Sequence, residues 1–139
     1  MIIKEFKNPG EPTRCASLQF MTDARNKLPL YQHTTAEELQ ARMKADFEKH
    51  PRFEYLVTDD AGRDVAIMVI VSDQCDIDLG QPTLQPLIAC SLEDGKGHLT
   101  AAYRWLFDLA KVYGVNWLIL TKTEGHRKTF DYRQIKKSK

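Results

Sequence analysis

Residues 91–120 read SLEDGKGHLTAAYRWLFDLAKVYGVNWLIL. Two glycines surround a lysine, Gly95-Lys96-Gly97, directly before a segment whose apolar residues recur at helical spacing. Leu99, Ala102, Tyr103, Leu106, Leu109, Ala110 and Tyr113 fall on one helical face, and Gly114 stands where a helix commonly ends on a left-handed residue. Val115 to Leu120 then form a short apolar run that reads as a buried strand. A chain that leaves a strand through a glycine turn and enters a helix leaves several backbone N–H groups unpaired at the positive end of the helix dipole. Anions bind at such ends, although any tight strand-to-helix turn can use glycine for its backbone freedom alone.

Working outward, Thr83 to Cys90 reads as the strand before the glycine turn, after a loop QCDIDLGQP. FEYLVTDD and DVAIMVIVSD flank the turn AGR, which predicts an antiparallel hairpin. Val65 to Val71 are apolar on both pleat faces, so this strand is central, with helices above and below it. Thr35 with Glu38 forms a capping box, and Ala36, Leu39, Met43 and Phe47 carry one core stripe that Pro51 closes. Thr13 to Leu28 has a mixed pattern that reads as helix. IIKEF suits an edge strand stopped by NPGEP, and a last short strand is expected in TFDYRQI. The order is strand, two helices, hairpin, strand, helix, strand.

With 139 residues, 42% of them hydrophobic, the chain suits one domain with a real core. No apolar run approaches the ~20 residues of a membrane span, and MIIKEFKNPG lacks the pattern of a secretory signal, so a cytoplasmic location is expected. Cys15, Cys75 and Cys90 are odd in number and widely spaced, which suits reduced thiols and neither a disulfide frame nor a zinc site. The overall charge of +1 hides a division. From Lys122 to Lys139 seven basic residues stand against two acidic ones, a surplus of +5, so the rest of the chain carries −4. Such an end can meet a polyanion, or serve only solubility.

Ser91 to Leu120 resembles the central motif of the Gcn5-related N-acetyltransferases, in which a strand leads through a glycine-rich loop into a helix ending Ala-x-x-x-Gly and then a strand. Asp94-Gly95-Lys96-Gly97-His98-Leu99 matches the loop, Ala110-Lys111-Val112-Tyr113-Gly114 the helix end, and Val115 to Leu120 the strand. The resemblance covers about residues 1–121, leaving 122–139 as a basic segment expected to add one short strand to the same domain. It implies an α/β (α+β) fold, a mixed and mostly antiparallel sheet with helices on both faces, whose fourth and fifth strands splay apart. It also implies acetyl-CoA or CoA as cofactor, with Gly95, Lys96, Gly97 and His98 at the pyrophosphate and Cys90, Ser91 and Leu92 along the pantetheine arm. Two positions depart from the pattern: Asp94 stands where the family usually has Arg or Gln, and Leu99 where it has Gly or Ala. The family also continues into a further helix that often supplies a tyrosine acid, which the residues after Leu120 have no room for.

Acyl transfer to an amine needs a proton acceptor and donors for a developing oxyanion. A main-chain amide near Cys90 or Ser91 suits the second task, Asp73 is a candidate base in the Asp73, Asp76 and Asp78 loop, and Tyr132 is a candidate acid. The spacing of those aspartates fits no calcium loop, and no metal is expected. Three functions follow: an N-acyltransferase with an amine-bearing substrate; a non-catalytic interaction or assembly protein on the same scaffold, similar to small motif-degenerate bacteriophage proteins and placed in host cytoplasm or virion; and, least favoured, a nucleic-acid binder using the basic tail. A sheet edge after the fifth strand invites a protein partner or a second copy. No membrane contact is expected.

Overall fold

The ten residues Asp64–Asp73 form β3, whose stretch Ala66–Ile70 is buried to within 1% of complete exclusion of solvent. The computed structural model describes residues 1–93 and 95–135. Alternate side chains of β3 leave the strand on opposite sides, so both faces of the sheet must be covered. Ile67 and Val69 join one core with Phe20, Met21, Leu39 and Phe47, whereas Ala66, Met68 and Ile70 join a second with Ala102, Leu106 and Leu118.

Six strands lie in sequence order: β1 (Ile2–Lys7), β2 (Arg52–Thr58), β3, β4 (Thr83–Ser91), β5 (Trp117–Glu124) and β6 (Arg127–Gln134). All neighbours are antiparallel except β4 and β5. The first helices, α1 (Leu18–Lys27) and α2 (Ala36–Glu48), cover one face, and α3 (His98–Val112) covers the other. This is the expected architecture, with its hairpin at β2 and β3 and its capping box at α2, where Thr35 Oγ1 accepts the Glu38 N–H at 3.1 Å.

The first helix starts later than its sequence suggests. Thr13 is drawn to glutamates instead of into a helical turn: its hydroxyl donates to Glu54 Oε2 at 2.6 Å and its N–H to Glu48 Oε2 at 3.0 Å. Ser17 then caps α1 by accepting the Phe20 N–H. Behind this segment Arg52 and Glu54, both under 3% exposed, pair at 2.6 Å, and Arg52 also donates to the Glu11 carbonyl. Alternate residues on β2 share a face, so one strand supplies both charges and each satisfies the other's desolvation.

Strands β4 and β5 are joined only at Thr83↔Trp117 and Leu84↔Leu118, then separate. The cause lies within β4. Its register against β3 jumps from Ile88 to Pro86 between Val69 and Ile70, leaving Leu87 as an extra residue. A bulge bends its strand, and proline, lacking an N–H, is tolerated in sheets mainly at such places. Beyond the bulge β4 keeps its pairing with β3 and loses β5, so the two strands splay.

The last strand is longer than its sequence suggests. β5 runs through Glu124, turns at Gly125 in left-handed conformation, and pairs with β6 over eight positions. All eight β6 residues are exposed, and Lys136 to Lys139 lie outside the described residues.

Candidate functional site

Where β4 and β5 part, a cleft of about 350 Å³ opens. Cys90 and Ser91 form its β4 wall, Thr121 to Thr123 its β5 wall, and Tyr103 and Leu99 of α3 its floor. A 3-10 turn at Pro29–Tyr31, between α1 and α2, covers it from the other face of the sheet. Burial pushes the Tyr31 hydroxyl up to about 12, and burial also raises Tyr103, whose hydroxyl donates to the Thr121 carbonyl at 3.2 Å. Both phenols are therefore neutral near pH 7.

A second hollow of about 340 Å³ lies at the N-terminus of α3, lined by Ser91, Glu93, Gly95, Gly97, His98, Leu99 and Thr100. It shares Ser91 and Leu99 with the cleft, so the two spaces adjoin. Gly97 caps α3 at φ +74 and, having no side chain, leaves the cap unfilled. Gly95 is also left-handed at φ +78. An added Cβ at either glycine would meet nothing within 4 Å. No described residue accepts a hydrogen bond from the N–H groups of Gly95, Gly97, His98 or Leu99, whereas the Gly97 carbonyl is used, by Ala101. Amides without a partner among the described residues, at the head of a fifteen-residue helix that lines a hollow, fit an anion. One carboxylate stands beside them: Glu93 Oε1 is 3.5 Å from His98 Nε2, a buried atom that makes no hydrogen bond.

Of the residues singled out in the sequence, Ser91, Gly95, Gly97 and His98 come together at this hollow, and Cys90 joins Ser91 on the cleft wall. Leu99 lines both spaces without filling either. Lys96 is exposed and lines neither. Leu92 turns to the core on the α1 side, its N–H donating to the Val65 carbonyl and its own carbonyl accepting from Lys27 Nζ. Asp94 lies outside the described residues.

Asp73 and Tyr132 are elsewhere. Asp73 pairs with Thr83, at the opposite end of β4 from Ser91, a separation of roughly 26 Å at strand rise. Its Oδ1 accepts the Cys75 N–H. Tyr132 pairs with Ile119, four positions along β6 from Lys128, which does line the cleft. Its hydroxyl donates to Asp78 at 3.0 Å and to buried Asp76 at 3.2 Å, and those carboxylates push it up to about 12. Among the described residues no cluster of three histidine, cysteine or acidic side chains could hold a metal.

Cleft residues that the sequence reading passed over are Leu28 to Tyr31, Thr121 to Thr123 and Lys128. Tyr103, which the helical spacing places on the packing face of α3, both packs there and lines the cleft. Pro86 within a strand was the available signal, since it marks where β4 leaves its neighbour.

Several solved structures share this fold. An IAA acetyltransferase from Bacillus cereus superposes with a TM-score of 0.53 at 18% identity, over 88% of this chain and 66% of that protein. A mutant protein from Bacillus halodurans gives 0.58 at 15% identity, over 88% and 83%. An aminoglycoside acetyltransferase from an uncultured soil metagenomic sample gives 0.54 at 12% identity, over 89% and 82%. The chain has the fold of the Gcn5-related N-acetyltransferases. No protein-family model and no curated protein matches the chain. Identities this low carry the fold and leave the site to be argued from its own residues. No helix is long and apolar enough to cross a membrane among the described residues.

Proposed function

We propose that the protein is an N-acyltransferase that uses acetyl-CoA and an amine-bearing acceptor. The observation that carries this reading is that the amides of Gly95, Gly97, His98 and Leu99 have no partner among the described residues and lie at a hollow that adjoins the cleft between β4 and β5 through Ser91 and Leu99. The amides of Gly95, Gly97, His98 and Leu99 would hold the pyrophosphate, Lys96 would add a cation from the rim, and Cys90 and Ser91 would flank the pantetheine arm. When bound, the coenzyme supplies an activated acetyl thioester, which an amine converts to an amide with release of the CoA thiol. The chain's own contribution is positional. The bulge in β4 keeps the cleft open, Leu99 and Tyr103 would exclude water from its floor, and main-chain N–H groups near Cys90 and Ser91 would be the donors to an oxyanion. No described carboxylate lines the cleft, so the ammonium proton of the acceptor leaves to solvent and not to Asp73.

A second reading has a specific observation in its favour. Glu93 brings negative charge to the anion hollow, and neither Asp73 nor Tyr132 lies at the cleft, as expected of a scaffold that keeps the fold for assembly, in a phage particle or elsewhere. In that case the unpaired edge of β6 would carry the partner or a second copy. Isothermal titration with acetyl-CoA separates the two. The enzyme reading expects micromolar binding that Gly97→Trp abolishes by filling the hollow; absence of heat from the wild-type protein leaves the scaffold reading standing.

A further inference from the structure

The cleft has a polarity of its own, apart from the anion hollow that it adjoins. Its part beyond Ser91 and Leu99 is walled by Leu28 to Tyr31 on one side and by Thr121, Lys122, Thr123, Gly125 and Lys128 on the other. If the glycine turn holds the coenzyme, as proposed above, this outer part is left for the acceptor. Its ionisable side chains are Tyr31, Tyr103, Cys90, Lys122 and Lys128, with no aspartate or glutamate among the described lining residues. Both tyrosines are held neutral by burial. Lys122 is matched by Glu124 at 2.8 Å. Among the described residues, the side chain of Lys128 is matched by the face of the Phe130 ring, 5.9 Å from its ammonium, and by no carboxylate. Nearby carboxylates already have partners. Glu93 faces His98, Asp131 is 3.9 Å from Arg133 in a hollow that shares Tyr103, Thr121 and Lys122 with the cleft, and Asp76 and Asp78 hold Tyr132.

We infer that the acceptor is a monoamine carrying a carboxylate or other anionic group that Lys128 receives, and that polycationic amines are rejected. A polycation entering this cleft would lose water from several ammonium groups and find no carboxylate among the described lining residues, a cost that carboxylates already paired outside the lining do not offset. An anionic monoamine meets the opposite situation. Lys128 attracts its acid group, while the same positive field disfavours the charged form of the amine and raises the fraction able to attack. In the transfer the amine nitrogen forms a bond to the acetyl carbon, the carbon–sulfur bond breaks, one amine proton leaves to water and the thiolate takes one back. Selectivity thus arises from what the lining omits as much as from Lys128.

The inference rests on the acyltransferase reading but is tested separately from it. Binding is measured first without coenzyme, by calorimetry at low salt, using 4-aminobenzoate and L-glutamate as anionic monoamines and kanamycin and spermidine as polycations. The anionic probes are expected to bind and the polycations to give no heat; binding of kanamycin or spermidine, or of none of the four, overturns the inference. Lys128→Glu is expected to weaken the anionic probes about five- to tenfold, an effect that shrinks in high salt, while CoA affinity is kept. Loss of CoA affinity in that variant assigns Lys128 to the coenzyme and also overturns it. Wild-type protein that binds the anionic monoamines but not CoA would uphold the charge preference and end the acyltransferase reading instead.

Discussion

The two halves of the sheet are built from strands of similar length and behave differently. From β1 to β3 the ladders run along most of each strand and helices bury both faces of β3; from β4 to β6 one pair is joined at only two positions and the last strand is exposed throughout. The first half carries the buried Arg52 and Glu54 pair, whose bonds reach the chain before α1. The second half carries the cleft and the anion hollow. Space for a ligand requires that some hydrogen bonds of the sheet be given up, and the molecule concentrates that loss beyond one bulge while the rest of the sheet holds the site in place.

The contrast can be broken most severely at Glu54. Glu54→Gln leaves Arg52 buried beside a neutral group, and a loss of about 3–5 kcal/mol in urea unfolding is expected. A loss below about 1 kcal/mol would mean that the pair does not anchor the rigid half. Leu118→Ala comes next. It removes a side chain with no solvent exposure from the short β4 to β5 contact, and about 3 kcal/mol should be lost by the same measurement. Gly97→Ala meets open space but must hold a left-handed backbone, so its cost is strain alone, about 1–2 kcal/mol. Tyr132→Phe removes exposed hydrogen bonds to Asp76 and Asp78 and should change stability by about 1 kcal/mol or less, with CoA affinity unaltered. At neutral pH the smallest effect is that of Tyr31→Phe. Tyr31 titrates near 12 when folded and near 10 when unfolded, so its contribution is complete below pH 10 and is lost as pH rises toward 12. Unfolding followed from pH 9 to 12 should show a shallower decline in Tyr31→Phe than in the wild-type protein.

Much of the rigid half is visible in the sequence because its residues obey simple periods. Val65 to Val71 announces a strand covered twice, and Thr35 with Glu38 announces a helix start. The glycine turn is visible as well, since Gly95 and Gly97 both need the left-handed conformation that they adopt. The cleft is not. Tyr31 and Thr121 are ninety positions apart and meet only because Pro86 and Leu87 turn β4 away from β5, a tertiary consequence of a single register shift. Tyr132 looked available for chemistry because an alternating strand hides which carboxylates fold against it; Asp76 and Asp78 arrive from a loop more than fifty residues earlier. Tyr113 has the spacing of a core residue at the end of α3, yet it is 62% exposed and tilts onto Phe53, because the sheet beneath that end of the helix has reached its edge strands.

The claim beneath the functional reading is that backbone amides at the head of α3 are unpaired and face a space that takes a diphosphate. Nitrogen-15 chemical shifts recorded during titration with CoA test it directly. The account predicts that the amides of Gly95, Gly97, His98 and Leu99 move most, with Cys90 and Ser91 following and β1 to β3 unchanged. Shifts centred on β6, or a spectrum unaltered at millimolar CoA, would contradict it.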